Sequence, residues 1–212
     1  QSEYIFWGKH HTSLDADVGA AAGTLGNAFS HATNLPMYSS LAGGTDDNAP
    51  TDGELQTGFA KFANDEAVDV SLIPTGAVSA TVSKYVVENV AEVRKDCMVF
   101  ISPELADAQS STPATDIKDF RTTQNINSSF AVMDSGYKYQ FDRYNDVFRY
   151  VPLNGDVAGC LVRTDLVADP FFSPAGFNRG QIKNAVKLAY SPDKADRDTL
   201  YKNAINPVVS FP

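Results

Sequence analysis

The chain has 212 residues, 43% hydrophobic and 20% charged, which supplies a sizeable core and excludes a disordered, collagen-like or disulfide-stapled chain. Its 17 Lys and Arg against 26 Asp and Glu give a formal net charge of -9, whose field repels phosphate backbones and anionic lipid, so neither nucleic acid nor a membrane is an expected partner. No run reaches the ~18 apolar residues of a membrane helix, and the start lacks the basic-then-apolar pattern of a secretion signal.

Ser2-Glu3-Tyr4-Ile5-Phe6-Trp7 is strand-forming, but Gly8 to Pro50 is rich in small and polar residues without a lasting apolar period and reads as irregular, closing in the turn-forming cluster Gly43 to Pro50. The chain opens on Gln1 and closes on Phe211-Pro212 directly after the strand-like Val208-Val209-Ser210, the ends expected of a piece cut from a longer polypeptide. We expect one domain over 1–212, in which residues 1–50 are irregular and residues 51–212 form a regular core. Thr51 and Glu54 have capping-box spacing, and Leu55, Phe59 and Phe62 at i, i+4 and i+7 predict a helix from about Gly53 to Asn64.

Ala67 to Ile73 is β-branched and partly alternating, a strand stopped by Pro74-Thr75-Gly76. From Ser79, Val82, Val86, Val87 and Val90 return to a helical period against valine's weak helix preference, so packing must hold that helix. Cys97-Met98-Val99-Phe100-Ile101 has no polar interruption, the pattern of a central strand covered on both faces. Pro113 and Thr115-Asp116 introduce a short helix through Phe120, and Phe130 to Met133 is a further strand. The alternation predicts an α/β layer with at least three neighbouring, parallel strands.

Tyr137 to Asp142 then alternates aromatic with polar, and Val147 to Val151 does so less strictly across a short connection, which predicts an antiparallel hairpin with one wet face. The expected fold class is therefore α/β, a mixed sheet flanked by helices with a β-hairpin in the second half. Beyond Pro152, Asn154 or Asp156 can cap a helix with an apolar stripe of Val157, Ala158, Leu161 and Val162 ending near Asp169-Pro170. Ile182, Val186 and Ala189 mark another, with Lys183 and Lys187 on its wet side, and Ser191-Pro192 opens a last helix to about Ala204.

Signals for chemistry are sparse. Cys97 and Cys160 lie far apart in apolar runs and read as buried small hydrophobes, not as a disulfide or a ligand pair. His10 and His11 are adjacent and could share a metal only from a loop, and His31 has no ligand-spaced neighbour. There is no nucleophile elbow, P-loop or dinucleotide fingerprint. Asp142, Asp146, Asp165 and Asp169 could form an acid/base pair only if the fold converges them; solvated faces or ion pairs are the simpler reading. Lys138, Arg143 and Arg149 among the hairpin aromatics have the look of a base-stacking platform, but period-two aromatics usually face a core and the net charge opposes nucleic acid.

Past Val93-Arg94-Lys95-Asp96-Cys97 a set of ordered strings stands out: Tyr137 to Asp146; Arg149 with Val151-Pro152-Leu153; Ala158-Gly159; Arg163-Thr164-Asp165; Ser173-Pro174-Ala175-Gly176 with Asn178-Arg179-Gly180-Gln181; and Arg197-Asp198 through Leu200-Tyr201 to Ala204-Ile205-Asn206-Pro207. In order and spacing they resemble the major tail sheath proteins of contractile-tailed bacteriophages, the T-even type and its marine relatives. The resemblance runs from about Asp65 to Pro207; before that only Ser2 to Phe6, Gly43-Gly44 and the helix near Phe59 match, and Glu104 to Thr115 departs most.

The resemblance implies a structural fragment, not an enzyme, with no catalytic residue, cofactor or metal. Such a subunit polymerises helically around the tail tube and shortens when the baseplate triggers, so the implied partners are other sheath copies, the tube protein and the baseplate, and the implied location is the virion tail, assembled in host cytoplasm. Family members carry arms that add strands to neighbours, which this piece is expected to lack, and outer domains ahead of this region; the isolated piece is expected to be monomeric or weakly associating. The alternatives are the sheath of a related phage-like injection device, or a hydrolase with a dispersed carboxylate site. Pro174-Ala175-Gly176 reads first as a turn setting the angle of two helices, with Phe177 and Arg179 as the candidate subunit contact, because Arg and aromatics favour interface centres.

Overall fold

A computed structural model describes residues 48–211. The readings of His10, His11, His31 and the irregular N-terminal stretch lie outside those residues.

The Thr51 hydroxyl accepts the Glu54 N–H at 3.4 Å while the Glu54 carboxylate accepts the Thr51 N–H at 2.7 Å. That box opens α1 (Asp52–Phe59) where the spacing places it, and a 3-10 turn (Ala60–Phe62) ends it. Strand β1 (Leu72–Pro74) is shorter than the pattern 67–73 suggests. Ser79 accepts the Val82 N–H and caps α2 (Ala80–Val86), which widens through a π-helical turn (Val87–Ala91) into α3 (Glu92–Arg94) and stops at Lys95, at φ 63°. The extra residue of the π turn re-phases the helix. Val82, Val86, Val87 and Val90 are all fully buried, while Val93 faces solvent.

Strand β2 (Met98–Ile101) follows, then α4 (Leu105–Ala108), α5 (Pro113–Gln124) and β3 (Ala131–Met133). Helix α5 starts on Pro113 as predicted but runs past Phe120 to Asn125, whose left-handed backbone at φ 47° ends it. The chain continues with β4 (Tyr137–Asp142), β5 (Val147–Pro152), α6 (Asn154–Val167), α7 (Gly176–Arg179), β6 (Lys187–Leu188) and α8 (Lys194–Lys202).

The first sheet has the order β1-β2-β3, all parallel, with β2 central as its unbroken apolar run requires. Ile73, Val99 and Ala131 are in register, as are Ile101 and Met133. These residues face a core shared with the α2 valines, Ile117 and Phe120 of α5, and Leu200 of α8. Phe100, one step out of phase and buried, points to the opposite side, where α6 packs against β1 and β2. This is an α/β layer with helices on both faces.

The antiparallel strands do not join that sheet. They form a second one, order β5-β4-β6, so the expected mixed sheet is resolved into a parallel and an antiparallel sheet. The break falls at Asp134-Ser135-Gly136, where Gly136 takes φ 150° and redirects the chain out of the first sheet.

The expected helix around Ile182, Val186 and Ala189 is not formed. Its apolar spacing fits a helix, but the edge of β4 takes the backbone instead: the Val186 and Ala189 N–H groups donate to the carbonyls of Tyr139 and Tyr137, each at 2.8 Å, flanking β6. Helix α6 is formed, but its buried residues are Asn154, Ala158, Cys160 and Thr164; of the predicted stripe only Ala158 is among them, Val157 and Leu161 are half-buried and Val162 is exposed, while Asn154 is the first helical residue and not a cap. Asp193, not Ser191, caps α8, accepting the Asp196 N–H at 2.8 Å.

Candidate assembly surface

In open parallel sheets the carboxyl ends of the strands are the usual place for a ligand. Here each end carries a small polar residue directly after the apolar run: Thr75, Ser102 and Asp134. The Ser102 hydroxyl donates to Asp134 Oδ2 at 2.7 Å and accepts the Asn154 N–H at 3.0 Å; Asp134 Oδ1 accepts the Gly136 N–H at 2.9 Å. Asn154 Nδ2 donates to the Gly76 carbonyl at 2.8 Å, and Thr75 Oγ1 to the Phe100 carbonyl at 3.0 Å. Among the described residues no buried side-chain polar atom lacks a partner, so the hydrogen bonds of this seam are closed on one another. It fastens α6 and the start of the hairpin to the sheet. Burial pushes the Asp134 carboxyl up to about 7 against the hydrogen bonds from Gly136 and Ser102.

Among the described residues, Asp142, Asp146, Asp165 and Asp169 are not brought together. Asp142 forms an ion pair with Arg149 at 3.1 Å, and hydrogen bonds from Asn145 and the Tyr144 N–H hold its carboxyl below the usual range. Asp146 sits in the hairpin turn at φ 54°, Asp165 on α6 and Asp169 beyond its end, all exposed. No group of three or more His, Cys, Asp or Glu among the described residues could hold a metal ion. Cys97 and Cys160 are free and buried, as expected, and burial raises both thiols. A depression lined by Glu104, Asp107, Asp116 and Asp119 has burial, with Glu104 beside it, raising Asp107. No described helix is long and apolar enough to cross a membrane.

What the surface does offer is aromatic. On one face of the hairpin Tyr139 opposes Tyr150 and Phe141 opposes Phe148, with ring centroids 4.7 and 5.0 Å apart. Lys187 Nζ lies 5.1 Å from the Tyr139 ring. This face, read from sequence as the core side, is buried only at its base, where Tyr137 is 3% exposed, and opens toward the turn, where Phe141 and Phe148 are about half exposed, 47% and 50%. The polar face is the covered one at its base, where buried Lys138 donates to Asp156 at 2.8 Å and to the Lys183 carbonyl at 3.1 Å.

A second exposed set lies on the end of α6 and around α7: Leu166, Val167, Phe171 and Phe177. Phe177, 73% exposed, rests its ring 5.0 Å from that of Phe211. Arg179 turns inward, donating from Nε to the Ser173 carbonyl at 2.9 Å and covering the Phe172 ring at 5.2 Å. Gly176 takes φ 76° at the first position of α7, and a Cβ on Gly180 would lie 2.8 Å from Ala175 Cα, so both glycines are needed for the tight loop.

Known proteins place this arrangement. The chain matches the family described as phage tail sheath protein central domain over residues 48–212. It belongs to the phage tail sheath family. The tail sheath protein of Vibrio phage KVP40 is 39% identical over 193 residues, 81% of this chain and 29% of that protein. That of Enterobacteria phage T4 is 42% identical over 203 residues, 85% of this chain and 31% of that protein. That of Salmonella phage ViI is 34% identical over 120 residues, 56% of this chain and 19% of that protein. The chain thus spans about a third or less of the sheath proteins it matches.

The resemblance read from the ordered strings is therefore correct. The seam was not read from the sequence, although the repeated signal of an apolar run ending in Thr75, Ser102 or Asp134 was there to find. The open aromatic face was missed because alternation tells which residues share a face, not which face is covered.

Proposed function

We propose that this chain is the inner structural portion of a contractile phage tail sheath subunit, which polymerises helically around the tail tube in the virion and shortens when the baseplate triggers, driving the tube through the host envelope. Its work is mechanical, with no catalytic step, and the subunits assemble in the host cytoplasm. The observation that carries this reading is the match of residues 48–212 to the central domain of tail sheaths, joined to a fold whose strand ends are closed by internal hydrogen bonds while aromatic side chains stand outside.

A helical polymer needs heterologous contacts, in which one patch meets a different patch on the next copy and the contact propagates instead of closing. Contraction requires two lattices, so a small free-energy difference per subunit sums over many copies moving together, and each must move as a stiff body. Phe177 and Arg179 are the proposed contact: the exposed ring reaches the neighbour and the guanidinium holds the loop that presents it.

Electron microscopy of the full-length parent tests the reading. Long striated tubes are expected; a persistently monodisperse small oligomer overturns it. In assembled sheath, the double change Phe177→Ala with Arg179→Ala is expected to impair assembly or contraction, and unaltered behaviour rejects that contact.

A further inference from the structure

The two exposed apolar sets are separate: no aromatic pair links the rings of the hairpin to those near α7 among the described residues. They also differ in charge. The hairpin face is rimmed by Lys187 and by Arg143, neither of which pairs with a carboxylate among the described residues. Arg143 instead lies over the Tyr144 ring at 5.0 Å, with the exposed Asp146 in the same turn and Asp142 engaged by Arg149. The end of α6 shows the opposite pattern. Val162 and Leu166 are one turn apart and exposed, Leu166 to 81%, and Asp165 and Asp169 flank them without a cation partner among the described residues.

We infer that the exposed end of α6 in one copy of this chain seats on the open aromatic face of the β4–β5–β6 sheet in the next copy. The reading rests on the sheath assignment and goes beyond it by naming the two surfaces that meet. Three arguments carry it. An aliphatic helix stripe on a sheet face is the layer packing that each domain already uses internally, with α6 against β1 and β2. The charges are complementary, Asp165 and Asp169 against Lys187 and Arg143, which sets orientation and excludes helix on helix or sheet on sheet between copies. The two surfaces are different, so the contact is heterologous and repeats without closing, as a helical tube demands.

The test uses the full-length subunit. Asp165→Lys with Asp169→Lys, or Arg143→Glu with Lys187→Glu, are each expected to raise the concentration needed for tube formation about ten-fold or more, since each puts like charges face to face. All four together are expected to restore striated tubes. Wild-type tubes with reversal variants that assemble normally, or a fourfold variant that stays unassembled although its unfolding midpoint matches the parent, overturn this contact and leave the sheath reading intact; failure of wild type itself to form tubes overturns the sheath reading. Should the reversal variants not fold, mixing Leu166→Cys with Phe148→Cys subunits decides. A disulfide-linked pair formed in the mixture above the level of either alone supports the contact. No such excess, or thiols already shielded in the separate monomers by another region of the same subunit, overturns it.

Discussion

The parallel-sheet half of the molecule and the hairpin-to-α7 half use the same residue types in opposite ways. In the first, Val82, Val86, Val87, Val90, Val99 and Phe100 are hidden from solvent, and the helices exist because the sheet covers them. In the second, Phe141, Phe148, Leu166 and Phe171 stand outside while a lysine is buried. Among the described residues, hydrophobic side chains are thus divided between a closed core and an exposed set.

That division is most vulnerable from the inside. Phe100→Ala is expected to cost about 3–5 kcal/mol, the range for truncating a buried aromatic, read as a lower urea midpoint with an unchanged slope. A loss near the surface value would mean that α6 is not packed over β2.

The next largest effect is on pH dependence. The folded state keeps Asp134 protonated up to about 7, whereas in the unfolded chain it ionises near the ordinary carboxylate value of about 4. The native state therefore binds the proton more tightly, so this contribution to stability is complete below about pH 4 and is lost as the pH rises toward about 7. In Asp134→Asn the fall in urea midpoint across that window is expected to flatten; an unchanged slope would remove Asp134 as its source.

Smaller effects probe the two halves separately. Thr51→Ala removes the cap of α1 and is expected to cost about 1 kcal/mol, seen in the thermal midpoint. Leu166→Ser and Phe171→Ser are expected to change stability by no more than about 0.5 kcal/mol, the range for exposed sites, while weakening assembly of the full-length subunit. A large stability loss from either would place that residue in the first half's role.

Much of the first half was legible. Thr51 with Glu54, the valine spacing after Ser79, and the unbroken Cys97 to Ile101 run each carry their own signal, because local hydrogen bonds and burial on both faces write themselves into residue order. The hairpin was legible for the same reason. Residues 182–189 were not: Ile182, Val186 and Ala189 have helical spacing, and only the free edge of β4 decides for a strand. The seam was legible only in part: Thr75, Ser102 and Asp134 each close an apolar run, but that Asn154 joins them is settled only where the strand ends meet α6. Which aromatic face stays open depends on what packs beneath the hairpin, a fact of tertiary placement that no pattern of two can hold.

The segment after α8 is tied at two points to the end of β3: Asn206 gives both its N–H and its Nδ2 to the Met133 carbonyl, at 2.9 and 3.0 Å, and the Val208 N–H donates to Ser135 Oγ at 2.8 Å. Asn206 runs parallel to Asp134 there. Tension pulling on residues 209–211 is therefore met first by the Ser210 N–H on Ser191 Oγ and the Phe211 ring on Phe177, and then by the bonds at the edge of the parallel sheet, before it reaches α8 from its C-terminal side.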